Sequence, residues 1–253
     1  MLRSLLYVPA HSERFVNKAH ERGADGIILD LEDAVPEADK DRARDMLRET
    51  VPAVGRSAAR VFVRINDGAR QRADAAAAIA AGATLVIAKA RVDTLDLGGP
   101  AIAMIEDAGA LLDARAIAEH PSVIGLMVGG EDMATALGGE PTPEVLRTPK
   151  LMVHYAARAG GKLSFGMFRS VADYSDLGGI EAAAREARMH GFDGATCVHP
   201  AVVPVLNAGF SPSAEEIAWA ERVLAGGSEG AFVVDGKMVD APVIARARRI
   251  LGR

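Results

Sequence analysis

A single cysteine, Cys197, leaves no partner for an intrachain disulfide and no cysteine set for a structural zinc site. No G-x-G-x-x-G or G-x-x-x-x-G-K fingerprint is present, which weakens a dinucleotide-binding or P-loop reading. Long apolar runs are missing too. The most apolar long window, Ala75 to Ala88, is alanine-rich, broken by Gly82 and closed by Lys89, so it does not read as a membrane span. Positive charge is in short supply: 29 Lys and Arg stand against 34 Asp and Glu, a net charge of -5. That balance disfavours general nucleic-acid binding, while a local basic pocket for a small anion stays open. Met1-Leu2-Arg3-Ser4 leads directly into Leu5 to Pro9, with no apolar leader or small-residue cleavage site. The expectation is a cytoplasmic protein without a nucleic-acid or membrane partner.

What is present is a chain of 253 residues, 49% hydrophobic and 25% charged, enough for one large barrel or two small domains. Its densest feature is Gly26-Ile27-Ile28-Leu29-Asp30-Leu31-Glu32-Asp33. An apolar, β-branched run of this kind reads as a strand buried on both faces. It ends in acids whose burial costs several kcal/mol unless a metal, a cationic side chain or a proton answers them. Further strands are expected at Ser4–Val8, Arg60–Ile65, Thr84–Ala88, Ala101–Ile105, Ser122–Val128, Leu163–Met167 and Ala195–Val198. Helical patterns lie between them. Ser12 and Asp39 are expected caps, Lys40–Thr50, Ala108–Glu119, Glu131–Leu137 and Leu177–His190 expected helices, and Thr142-Pro143-Glu144 a helix start. Alternation of this kind predicts an α/β chain, a (β/α)8 TIM barrel over 1–212 with a C-terminal helical extension over 213–253. In that extension Ser213-x-x-Glu216 is a capping box, Gly226-Gly227-Ser228 a turn, Ala231–Val234 a strand and Val243–Leu251 a helix. A tail of this size is expected to pack on the barrel or on a neighbouring subunit.

Barrel enzymes work at the carboxyl ends of their strands, and here those ends are polar. They carry Asp30, Glu32 and Asp33, then Arg64, Lys89, Glu106, Gly129-Gly130-Glu131-Asp132 and His199. Each has a plainer reading. Arg64 is either an internal partner for Asp30 or Glu32 or a substrate-binding group. Glu106 taken alone fits a first-turn helix acid, and Asp132 an N-cap. Lys89 fits a structural ion pair better than a Schiff base, and His199 a hydrogen-bonded barrel residue better than a base. Carboxylates so spaced suit a hard cation such as Mg²⁺ without establishing one.

Nearly end to end, the chain resembles the citrate lyase β-subunit-like family, with its malyl-CoA and citramalyl-CoA lyases and thioesterase relatives. The resemblance is carried by Arg3-Ser4-x-Leu6-Tyr7-Val8-Pro9, Leu29-Asp30-Leu31-Glu32-Asp33-Ala34-Val35, Lys40-x-x-Ala43-Arg44 and Val63-Arg64-Ile65-Asn66. Ile105-Glu106, Gly129-x-x-Asp132, Gly191-Phe192-x-Gly194 and Val198-His199-Pro200 add to it, as do Phe210-Ser211-Pro212-Ser213 and Gly236-Lys237-Met238-Val239-Asp240-x-Pro242. Departures stand at Ala10, Ala195 and Ala201–Val203, and the stretch from Phe165 to Tyr174 fits poorly.

The resemblance implies a TIM barrel with Mg²⁺ held by Glu106 and Asp132, and Arg64 gripping the carboxylate of an oxo acid. It assigns substrate contact to Tyr7, Arg14 and Lys18, and a catalytic role to Asp240, presented in the lyases to a neighbouring subunit's site. Asp30, Glu32 and Asp33 then become supports that order metal-bound water and Arg64. The implied reaction is Mg²⁺-dependent carbon–carbon cleavage of a 3-hydroxy-acid acyl-CoA thioester (citryl-, malyl- or citramalyl-type) into a 2-oxo acid and acetyl- or acyl-CoA. The rivals are a malyl-CoA-type thioesterase and a subunit that needs an acyl-carrier protein. A homo-oligomer, trimer or hexamer, is also implied.

Overall fold

The computed structural model describes residues 1–172, 174–227 and 230–252; Ser228 of the expected turn and residue 173 lie outside the described residues. The chain divides into two compact units, Met1–Phe210 and Ser211–Arg253.

The first unit alternates strand and helix. Its strands are β1 (Ser4–Pro9), β2 (Gly26–Asp30), β3 (Arg60–Ile65), β4 (Thr84–Ile87), β5 (Ala101–Ile105), β6 (Val123–Val128), β7 (Leu163–Phe165) and β8 (Ala195–Cys197). Between them lie α1 (Glu13–Ala19), α2 (Lys40–Val54), α3 (Gln71–Ala80), α4 (Ala108–Leu112), α5 (Ala114–Glu119), α6 (Gly130–Ala136), α7 (Pro143–Ala159) and α8 (Leu177–His190), with α9 (Val203–Gly209) after β8. All eight strands are parallel, in the order β7-β6-β5-β4-β3-β2-β1-β8. A bridge from Phe165 to Gly194 brings the two ends of the sheet together, flanked by Asp193 N–H on Ser164 O (2.9 Å) and Gly166 N–H on Gly194 O (2.8 Å). The architecture is the TIM barrel.

Strand parity builds two cores. Leu5, Ile28, Phe62, Val86, Ile102, Met104 and Phe165 pack together in the barrel interior. Their neighbours Leu6, Ile27, Leu29, Val63, Leu85 and Ala103 face the other way, into the layer shared with the helices. With roughly 1.5–3 kcal/mol for each large apolar side chain fully buried, these two layers carry most of the driving force. Gly26 leaves room for the Phe62 ring, whose Cε2 would lie 3.0 Å from a Cβ there.

Local rules fail where packing outweighs them. Expected to stop at Thr50, α2 runs through Pro52 to Val54 because Val51 and Val54 are buried against the barrel. The expected single helix over 108–119 is two, broken at Asp113. Ser12 and Asp39 precede their helices but make no side-chain cap bond; Asp39 pairs with Arg42 instead (2.9 Å). Thr142 does cap α7, accepting from Val145 N–H at 3.3 Å.

Within the second unit, Ser213 and Glu216 form the expected capping box at the start of α10 (Ala214–Ala225). Strand β9 (Phe232–Val234) pairs antiparallel with β10 (Lys237–Val239), which the sequence reading missed. Asp235 and Gly236 both have positive φ (51° and 74°), as a two-residue I′ hairpin turn requires. Asp240 then caps α11 (Ala241–Ile250), accepting from Val243 N–H at 3.4 Å. Ala220, Val223, Val239, Ile244 and Ala247 give this unit a small core of its own. No helix among the described residues is long and apolar enough to cross a membrane.

Closure of the barrel sets a stability test. A Cβ on Gly194 would fall on the Leu2 carbonyl oxygen and lie 2.7 Å from that of Arg3, both rigid backbone. Gly194→Ala is therefore expected to destabilise by about 1–3 kcal/mol, the usual cost of overpacking, and to lower the thermal midpoint. An unchanged midpoint would contradict the bridge as the closing contact.

Candidate active site

The inward positions that are apolar deep in the barrel turn polar one step higher. Two residues beyond Leu5, Ile28, Phe62 and Met104 on the same faces come Tyr7, Asp30, Arg64 and Glu106. These residues line a cavity of about 400 Å³ at the carboxyl ends of the strands, together with Asp132 and Lys150.

Asp30 and Arg64 are register partners on adjacent strands. Asp30 Oδ1 accepts from Arg64 Nε (2.7 Å) and Glu32 N–H (3.0 Å). Its Oδ2 accepts from Arg64 Nη2 (2.7 Å) and Ala34 N–H (3.1 Å). Both oxygens are thus doubly engaged, leaving Asp30 no lone pair for a metal. Arg64 Nη1 lies 3.2 Å from Asp33 Oδ2 and 2.9 Å from Glu32 Oε2. The Glu32 contact is ionic only, since that oxygen lies off the guanidinium's donor direction and has no hydrogen-bond partner. Beneath, Arg64 Cζ sits 5.0 Å from the centroid of the Tyr7 ring. Burial would pull the guanidinium down, but the hydrogen bond and charge of Asp30 outweigh it and hold Arg64 firmly charged. Burial pushes the Tyr7 phenol up. The sideways Nε–Nη2 fork is spent on Asp30, so the grip on a carboxylate expected of Arg64 falls chiefly to Nη1.

Glu32 continues the network. Burial raises its carboxyl despite Arg64, and Oε1 accepts from Lys89 Nζ at 3.2 Å. Lys89 is thus the structural ion pair anticipated. Its φ of 47° is one of few positive values outside glycine among the described residues. A left-handed backbone there costs a β-carbon-bearing residue roughly 1–3 kcal/mol, and it turns the Lys89 N–H onto Glu106 Oε2. On the other side of Glu106, Gly129 is required: any Cβ would overlap the Glu106 carboxylate. Glu106 therefore stands at the end of β5, ahead of the helix that Asp107 caps, and is not a first-turn acid. Asp132 lies inside α6, whose N-cap is Gly129, so it is not a cap either.

Burial, together with the charges of Glu32 and Asp132, pushes the Glu106 carboxyl up to about 8, against the Lys89 N–H and Arg64. A buried acid raised by its acidic neighbours, in a set of hard oxygen donors, fits a hard divalent cation. Among the described residues no group of three or more His, Cys, Asp or Glu side chains surrounds a metal position. Glu106 and Asp132 would therefore hold such an ion with water or ligand oxygens completing its shell.

Other expectations fare differently. Arg14 and Lys18 are exposed on α1 and do not line the cavity. His199 Nδ1 accepts from Ala201 N–H (3.2 Å) and its ring stacks on Tyr174 at 4.8 Å, the plainer reading. Asp240 belongs to the other unit, where it is a helix cap. Lys150 was missed. Its signal was a lysine among Leu146, Val153 and Ala157 on the buried stripe of α7.

The raised Glu106 carboxyl has a measurable consequence. The folded chain keeps a proton that the unfolded chain releases between the ordinary value of 4.5 and about 8. The stability this gives is full below 4.5 and is lost as pH rises through 8. In metal-free buffer Glu106→Gln, which cannot ionise, should gain on wild type in thermal midpoint as pH rises from about 5 to about 8.5. A gap independent of pH would contradict the assignment.

Comparison with known proteins places the chain in a family. A citrate lyase subunit beta-like protein of Mycobacterium tuberculosis is 37% identical over 98% of this chain and 94% of its own length. A (3S)-malyl-CoA thioesterase of Cereibacter sphaeroides is 35% identical over 99% of this chain and 94% of its own. The solved structure of CitE from Mycobacterium tuberculosis, in complex with magnesium, acetoacetate and coenzyme A, matches with a TM-score of 0.83 at 36% identity, covering 98% of this chain and 96% of that one. The HpcH/HpaI aldolase/citrate lyase family description matches residues 3–94 and 99–200. The chain belongs to the HpcH/HpaI aldolase/citrate lyase family.

Proposed function

We propose that this protein is a Mg²⁺-dependent carbon–carbon lyase that cleaves, or forms, a 3-hydroxy-acid acyl-CoA thioester. The observation that carries the reading is the pair Glu106 and Asp132, hard acids that among the described residues have no ammonium or guanidinium in hydrogen-bond contact, in one cavity with a locked Arg64. The CitE structure, holding magnesium, an oxo acid and coenzyme A on a closely similar fold, supports it.

In this reading Mg²⁺, when bound by Glu106 and Asp132, supplies a Lewis acid and a template for the carboxylate and neighbouring oxygen of the oxo-acid half. Arg64, held still by Asp30, offers Nη1, beside its bond to Asp33, to a substrate oxygen. Lys89 N–H and the absence of a side chain at Gly129 keep the Glu106 carboxylate in one orientation. A base, assigned to Asp240 presented by a neighbouring subunit, takes the hydroxyl proton. The carbinol carbon becomes a carbonyl, and the electron pair of its bond to the acyl α-carbon leaves as the thioester enolate, which is then protonated. No covalent protein intermediate is needed, so Lys89 remains a structural cation. Arg14 and Lys18, exposed on the helix after β1, are assigned to the anionic CoA moiety. Oligomerisation as a trimer or hexamer completes the reading.

The similarity to a malyl-CoA thioesterase over nearly the whole chain favours one second reading, hydrolysis of the thioester by the same groups. Incubating malyl-, citramalyl- and citryl-CoA with the protein and Mg²⁺, and assaying both products, separates the readings. A 2-oxo acid appearing with acetyl- or acyl-CoA is expected; free CoA without oxo acid would select the thioesterase. Turnover only on thioesters of an added acyl-carrier protein would select the subunit form.

The metal assignment has its own test. Glu106→Gln with Asp132→Asn should abolish Mg²⁺ binding in calorimetry while the far-ultraviolet spectrum is unchanged, whereas Asp240→Asn should bind Mg²⁺ normally and turn over slowly. Retained Mg²⁺ affinity in the double variant would sink the site.

A further inference from the structure

Among the described residues Lys150 is a cation without a counter-ion. It rises from α7 with only 5% of its surface exposed, and Nζ donates to the carbonyl oxygens of Met167 (2.7 Å) and Arg169 (2.8 Å). Among the described residues no carboxylate comes within 4.0 Å of it. Glu131, the acid that acts on it through space, accepts from the Ser170 hydroxyl instead. An ammonium has three donors, and two are used.

The residue that carries this third donor borders the cavity. Lys150 lines it, and Nζ would lie 3.9 Å from a Cβ on Gly130, the residue between Gly129, which packs on Glu106, and the α6 turn that carries Asp132. Ser170, Val171 and Ala172, the wall whose preceding carbonyls Lys150 holds, line the same space. A purely structural clamp on two neutral carbonyls needs no charge, and burying one unpaired costs several kcal/mol. Burial accordingly draws Lys150 down to about 7, against the pull of Glu131. An incoming anion would supply the missing partner.

We propose that the Lys150 ammonium is the subsite for a distal carboxylate on the oxo acid, so that the cavity selects dicarboxylic 2-oxo acids over monocarboxylic ones. This rests on the lyase reading above. The 2-oxo-carboxylate end is common to both classes and goes to the region of Glu106, Asp132 and Arg64. The class is decided by whether the far end carries a charge for Lys150. Oxaloacetate has one; pyruvate, of the same backbone one carboxylate shorter, has none.

Binding of freshly prepared oxaloacetate and of pyruvate, each with Mg²⁺, tests this by calorimetry on the full chain. Wild type should bind oxaloacetate about tenfold or more tighter than pyruvate, the scale of one charge-assisted hydrogen bond. In Lys150→Met that ratio should collapse toward one while pyruvate affinity stays within about twofold; Lys150→Arg, which keeps the charge, should retain the preference. Three results overturn the subsite. One is a wild-type ratio near one, which needs no variant to be folded. Another is an equal loss of both ligands in Lys150→Met, the mark of a wall clamp alone. The third is an unchanged ratio in Lys150→Met. Failure of the lyase reading looks different: neither oxo acid binds wild type at all, and the subsite falls with it.

Discussion

The ion pair between Asp30 and Arg64 is the constraint on which the rest of the site depends. Burying these charges at the top of a barrel costs several kcal/mol unless every lone pair and proton is met. Here each Asp30 oxygen takes one Arg64 nitrogen and one backbone N–H. Arg64 is in turn closed in by Asp33, Glu32 and the face of Tyr7. Because Arg64 is fixed, Glu32 is fixed; Glu32 then holds the Lys89 ammonium, and the Lys89 backbone holds Glu106. The chain of contacts runs from the acid-rich end of β2 around three further strands to the candidate metal ligand. Preorganisation of this kind lets a site stabilise developing charge without moving.

Much of the fold was legible because the barrel writes its strands as short apolar runs at regular intervals. The bounds of β3, β5 and α8 match expectation residue for residue. What could not be read were places where a local rule lost to packing. Pro52 and Pro149 should each stop a helix, yet both lie within one, because the apolar stripes of α2 and α7 continue past them onto the barrel. Asp235-Gly236 was a hairpin signal left unread, since only its first strand carried an apolar run.

The site was legible in its strand ends but not in its geometry. That Asp30 and Arg64 would face each other follows from equal positions on adjacent parallel strands. That Asp30 would exhaust the guanidinium fork does not, because it depends on Glu32 and Ala34 N–H pinning the carboxylate. Glu106 and Asp132 each had a plainer local reading as a helix-start residue. The cap reading of Asp132 fails because Gly129 is the N-cap of α6, and the first-turn reading of Glu106 fails because Asp107 caps the helix that follows it. Lys150 was hidden for a simpler reason: its partners are carbonyls after β7, and sequence gives no sign of which backbone oxygens a lysine will find.

The charges lining the cavity give its chemistry a direction. Asp30, Asp33, Glu106, Glu131 and Asp132 face it against Arg64 and Lys150, so acids exceed bases by three. Much of the Arg64 charge is answered by the acids of β2, with only Nη1 left to meet a ligand, so Glu106 and Asp132 repel each other and any anion that approaches. A cavity so charged would not admit an oxo-acid carboxylate near those two residues unless a cation, or a proton on Glu106, offsets them first. Lys150 differs from Arg64 in this respect, because among the described residues no carboxylate pairs with it. The cavity thus keeps one cation largely tied to carboxylates, which sets geometry and offers a single nitrogen, and one tied only to carbonyls, which can choose among ligands.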